Sequence, residues 1–77
     1  MTIKEESGIL SLDLHGYKHE EISRLIENFV FLNQSNLPLK IICGNSQKMI
    51  DLSIKILEEH SIKYSFPRFG IIRIDGI

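Results

Sequence analysis

Between Ile9 and Leu14 the chain alternates, with Leu10, Leu12 and Leu14 set against Ser11 and Asp13, and His15 continues the polar set. A period of two is the pattern of a strand buried on one face. From Lys18 the period lengthens, and Ile22, Leu25, Ile26, Phe29 and Val30 recur at three and four, which lays an apolar stripe along one side of a helix. Glu20 and Glu21 fall in its first turn, where the helix dipole favours acids. This helix is expected to run to about Gln34, because Pro38 cannot continue a helix and restricts Leu37 before it. Leu39 to Cys43 is a short apolar run between proline and glycine, suited to a central strand. Gly44, Asn45 and Ser46 end it, and Asn45 or Ser46 can cap a second helix. The stripe of Met49, Ile50, Ile54 and Leu57 carries that helix to about His60. Ile62 to Phe66 alternates again, Pro67 to Gly70 form a turn, and Ile71 to Asp75 make a last strand.

The predicted order is therefore βαβαββ. Strands joined through a helix are almost always parallel with a right-handed crossover, whereas the short link before Ile71 makes an antiparallel hairpin. The expected fold is an α/β (α+β) two-layer sandwich, a mixed four-stranded sheet with two helices on one face and the other face open. Residues 9–77 form a single domain, and residues 1–8, which contain Lys4, Glu5 and Glu6 but no apolar run, are expected to be a flexible lead-in. With the leucines of the first strand against the helices, Ser11, Asp13 and His15 face outward. The same alternation brings Lys40, Lys63, Ser65 and Arg73 to that side, along with Ile42 and Ile71.

Composition adjusts this picture at a few points. Charged residues are 25% of the chain and hydrophobic ones 43%, an ordinary globular balance. A net charge of −1 excludes a protein that coats nucleic acid by bulk electrostatics, so any polyanion must be held by local placement of cations. Cys43 is the single cysteine, which forbids an internal disulfide and fits a reducing compartment, with a cytoplasmic location as the expectation. The opening residues resemble neither a signal peptide nor a membrane anchor, so a membrane partner is not expected.

The candidate chemistry lies where the strands end. Asp13 and His15 share one face of a strand with Cα atoms roughly 6.5 Å apart, and Gly16 follows at the turn. Such a pair could share a proton, hold a divalent metal jointly or flank a phosphate; on spacing alone an exposed polar strand end is the plainer explanation. In open parallel sheets ligands bind beyond the carboxyl ends of the strands. If the first two strands are neighbours, Asp13, His15 and Gly16 share a rim with Gly44, Asn45 and Ser46, where a second helix opens and its free amides favour an anion. Lys48 in that first turn opposes the dipole, and a bound anion would reverse the sign. Phosphodiester cleavage needs a base, an acid and donors for the charge on phosphorus. Asp13 and His15 could supply the first two, and the helix amides with Lys48 the third. Lys40, Lys63 and Arg73 on the open face are the further candidates for a phosphate backbone. Cys43 reads as a small buried residue, His19 as an exposed helix-start residue and His60 as a partner of the helix's negative end. Phe69, beside the turn, could stack on a base.

Leu12-Asp13-Leu14-His15-Gly16 resembles the opening motif of the Smr domain, named for the small MutS-related proteins. The acidic amphipathic helix from Glu20 to Leu32, the strand from Leu39 to Gly44 and the last strand from Ile71 to Ile74 are similar to the family's elements in order and spacing. The resemblance spans about residues 9–75. It implies a fold similar to the C-terminal domain of bacterial translation initiation factor three, and binding or nicking of DNA or cleavage of RNA. It makes Asp13 and His15 the proposed active-site positions and Gly44 the first glycine of the second motif. Cys43 stands where the family has histidine and Ser46 where it has the next glycine. The first change removes a cation or proton donor from the rim, and the second adds a side chain where backbone must approach phosphate.

The expected function is thus a small Smr-like domain that binds DNA or RNA, with endonuclease activity as its catalytic extension. The alternatives are a nucleic-acid-binding module without catalysis and a protein-interaction module that uses the sheet edge or open face, on a ribosome or in a homo-oligomer.

Overall fold

The computed structural model describes residues 3–77 of the chain. The periods read above become β2 (Ile9–Asp13), α1 (His19–Leu32), β3 (Leu39–Ile42), α2 (Gln47–Glu59), β4 (Lys63–Arg68) and β5 (Ile71–Gly76). They are preceded by β1 (Ile3–Glu6), so the sheet has five strands rather than four, in the order β1-β2-β3-β5-β4.

The extra strand corrects the expectation of a lead-in over residues 1–8, of which residues 1 and 2 lie outside the described ones. Ile3 to Glu6 pairs antiparallel with β2, placing Ile3 opposite Leu12 and Glu6 opposite Ile9. An edge strand exposed along its length needs no apolar period, and charged residues such as Lys4, Glu5 and Glu6 protect an edge from pairing with other chains. The local signal lay in Ser7-Gly8. Both residues have positive φ, 52° and 82°, the backbone that two-residue hairpin turns favour.

β2 and β3 are parallel, as a strand-helix-strand unit requires, and β5 inserts antiparallel between β3 and the edge strand β4. Leu12, Ile41 and Ile72 sit side by side across the three central strands, fully buried. They join one core with Ile22, Ile26, Phe29 and Val30 of α1 and Ile50, Ile56 and Leu57 of α2. Both helices therefore cover the same sheet face. Phe29 is the largest of the fully buried side chains, and truncating such a residue to alanine typically costs about 3–5 kcal/mol.

Helix ends fall where local chemistry stops them. Glu21 Oε1 accepts from the Lys18 backbone N–H at 2.9 Å at the start of α1, and Asn33 Nδ2 donates to the Phe29 carbonyl at 2.7 Å at its end. Ser46 caps α2 by accepting from the Met49 amide at 3.1 Å. His60, at the far end of α2, pairs through Nε2 with Glu27 of α1 at 2.8 Å. It lies edge-on to Phe31 with ring centroids 5.3 Å apart. That histidine ties the helices together on the side away from the open face.

Candidate nucleic-acid interface

Parallel pairing of β2 with β3 brings the carboxyl ends of both strands to one rim. The Leu14 amide extends the ladder by donating to the Ile42 carbonyl at 3.0 Å. Asp13, His15, Gly44, Asn45 and Ser46 then line a single open concavity, floored by Ile42 and Cys43. Gly16 and Lys48 do not line it, although both are exposed nearby in sequence. The Cys43 amide donates to the Gly70 carbonyl at 2.7 Å, so the β4–β5 turn closes against the same rim. A Cβ added at Gly70, whose φ is +84°, would overlap the Gly44 carbonyl oxygen, which is backbone and has no room to yield. This turn can seat only with glycine there.

Asp13 is committed to the backbone. Its Oδ1 accepts from the His15 N–H at 2.9 Å, and its Oδ2 meets Lys4 Nζ at 3.3 Å. Both contacts favour the ionised carboxyl, the His15 amide most strongly, and hold it below the usual carboxylate range despite partial burial. A carboxylate so engaged is a poor proton acceptor. It instead fixes the turn that projects the exposed His15 ring into the concavity. Sequence reasoning placed Asp13 on the open face correctly but missed Lys4, because residues 1–8 gave no pattern that would bring it alongside.

Cys43 is buried, and burial pushes its thiol pKa up. Its Sγ lies 3.7 Å from Ser53 Oγ, and Ser53 donates to the Met49 carbonyl at 2.8 Å. With the serine proton spent on that carbonyl, the thiol is the donor of the pair. A protonated, hydrogen-bonded thiol is neither a nucleophile nor a ready metal ligand. Among the described residues, no three histidine, cysteine, aspartate or glutamate side chains group as a metal site would require.

The open face carries the cations. Lys4, Ser11, Lys40, Arg73 and Ser65 are successive register partners across all five strands, with neighbouring strands about 4.8 Å apart. Ser11 is buried rather than outward-exposed, a small side chain flanked by longer ones at Lys4 and Lys40. Arg73 Nε pairs with Asp75 Oδ1 at 2.8 Å, and Ser65 Oγ donates to the other oxygen of that carboxylate at 2.9 Å. Lys40, half-buried at the centre of the row, has no ion-pair partner among the described residues, nor do Lys63 opposite Gly76 and Arg68 opposite Ile71. Arg68 was not among the sequence candidates. Register shifts fall between Lys63 and Tyr64 and between Ser65 and Arg68, and simple alternation cannot follow a strand through them.

The two layers differ in charge. The strands hold Lys4, Lys40, Lys63, Arg68 and Arg73 against Glu5, Glu6, Asp13 and Asp75. The helices hold Glu20, Glu21, Glu27, Asp51, Glu58 and Glu59 against Arg24, Lys48 and Lys55. A chain of net charge −1 is thus acidic on its helices and slightly basic on its sheet. No helix among the described residues is long and apolar enough to cross a membrane. In comparisons with known proteins, no family model, curated protein or solved structure matches the chain.

Proposed function

We propose that this protein is a small Smr-like nucleic-acid-binding module that holds a phosphodiester backbone over its open sheet face and the adjoining rim, and that it binds without turnover. The observation that carries this reading is the separation of charge between the layers. Lys40, flanked in register by Arg73 on β5 and Ser11 on β2, offers a cation with no carboxylate partner among the described residues. Six acids on the helices repel a polyanion from the opposite side, so a backbone is steered to one face. Binding is favoured over catalysis because both Asp13 oxygens are engaged and the position of the family's second histidine is taken by the buried thiol of Cys43.

The test is fluorescence anisotropy of labelled DNA and RNA oligonucleotides at low salt. Lys40→Glu should weaken binding about tenfold or more, whereas Lys55→Glu on α2 should change it little. Equal losses in both variants would remove the sheet face as the binding surface.

The exposed His15 ring beside Asp13 at the rim concavity favours a second reading, an endonuclease in which these two residues are acid and base. Plasmid nicking or cleavage of structured RNA that disappears in both Asp13→Ala and His15→Ala, with the fold retained, would select it. Cleavage that survives both changes would exclude these residues.

A further inference from the structure

Two phenylalanines stand exposed on the β4–β5 hairpin, Phe66 at 49% and Phe69 at 64%. Phe66 has a partner, since it lies edge-on to Tyr64 with ring centroids 5.7 Å apart. Phe69 makes no ring-ring contact among the described residues. Its backbone is nonetheless held in place, because the next residue, Gly70, is buried against Gly44 and accepts the Cys43 amide. An apolar ring kept in water on a fixed turn forgoes the burial that would stabilise it. Phe69 lines one groove with Gln47, Ile50, Ile54, Phe66 and Arg68, and none of these is acidic. Through the seat of Gly70 on Gly44, that groove adjoins the rim concavity.

Resting on the nucleic-acid reading above, we infer that this turn is a base-stacking subsite, in which Phe69 takes the face of an unpaired base and Arg68 the adjoining phosphate, so that the ligand is single-stranded. The bases of a duplex are stacked on one another and offer no free face to a side chain, whereas an unpaired base can lie on an aromatic ring. Charge complementarity selects the occupant. Arg68 has no ion-pair partner among the described residues, and its register position opposite Ile71 leads diagonally to Arg73 and then to Lys40. The groove lies beside α2 and Arg73 and Lys40 lie on the open face, so a strand leaving the groove crosses the edge strand β4 at Arg68 before it meets these cations. An apolar protein segment would leave the guanidinium without a counter-charge.

The experiment compares a short unstructured oligonucleotide with the duplex of the same sequence, by anisotropy over a range of salt, for wild type, Phe69→Ala, Phe69→Leu and Phe69→Tyr. Circular dichroism checks that each variant keeps its fold, which an exposed position should allow. Wild type should prefer the single strand. Phe69→Ala and Phe69→Leu should each lose roughly 5- to 150-fold in affinity, the range of base–aromatic stacking by alanine substitution, and Phe69→Tyr should restore it. The slope of affinity against salt should stay unchanged in Phe69→Ala, because stacking releases no counterions.

Unchanged single-strand affinity in Phe69→Ala, or equal affinity for duplex and single strand, would overturn the stacking subsite while leaving the sheet-face reading intact. Loss of self-association in Phe69→Ala, seen by light scattering without a change in binding, would assign the ring to a contact between copies and also overturn it. Failure of wild type to bind any oligonucleotide at low salt would remove both readings together.

Discussion

Asp13 shows how one carboxylate serves a turn and a charge pattern together. It accepts the His15 amide and neutralises Lys4 across the β1–β2 pair, which subtracts one cation from the sheet row and fixes the rim. Because its pKa is lowered in the folded chain, its stabilisation is complete above the ordinary carboxylate pKa of about 3.9 and is lost as pH falls through the lowered folded value. Asp13→Ala should therefore cost about 1 kcal/mol in urea unfolding at neutral pH, and the difference from wild type should shrink in strong acid. An undiminished difference there would mean that packing, not charge, is the source. Cys43 gives a second check. Its raised pKa and its hydrogen bond to Ser53 predict slow reaction with a thiol reagent in the native protein and rapid reaction in denaturant. Fast native labelling would contradict the buried, protonated thiol. Asp13 and Cys43 were both legible as residue types in the sequence. Their partners, Lys4 and Ser53, were not, because each pairing depends on elements meeting in space.

At the level of elements, the strands and helices with an apolar period were legible, and those without one were not. α1 and α2 follow from their stripes, and the Ser46 cap follows from a hydroxyl three residues before Met49. β1 has no stripe because both of its faces are exposed, and its clue was confined to the Ser7-Gly8 turn. β4 was placed approximately, since Pro67 and the irregular register between Ser65 and Arg68 break its alternation. The β4–β5 turn matters most for the site, because Gly70 carries both a positive φ and the close approach to Gly44. Gly70→Ala should destabilise the domain by about 1–3 kcal/mol, through backbone strain and displacement of the turn. It should also weaken oligonucleotide binding. Gly16→Ala, where an added Cβ meets nothing, should leave the rim seated. Equal stability losses in the two variants would show that the Gly70–Gly44 contact adds nothing beyond the backbone conformation.

On the scale of the whole molecule, near-neutral net charge conceals a division between an acidic helical layer and a sheet face crossed by Lys4, Lys40 and Arg73. The sequence placed Lys40, Lys63 and Arg73 on that face by alternation alone. It could not show that Asp75 pairs with Arg73 or that Lys4 joins the row through β1, since both depend on register and on a strand it did not reveal. The central claim, that a phosphate backbone lies over this face, is tested most directly by the salt dependence of single-strand affinity. If Lys40, Lys63 and Arg68, which have no ion-pair partner among the described residues, each displace a counterion, the logarithm of affinity should fall against the logarithm of salt with a slope of about −2, at roughly −0.7 per phosphate contact for single strands. Lys40→Ala should make that slope shallower by about 0.7. A flat salt dependence in wild type, or a slope untouched by Lys40→Ala, would contradict the assignment of this face.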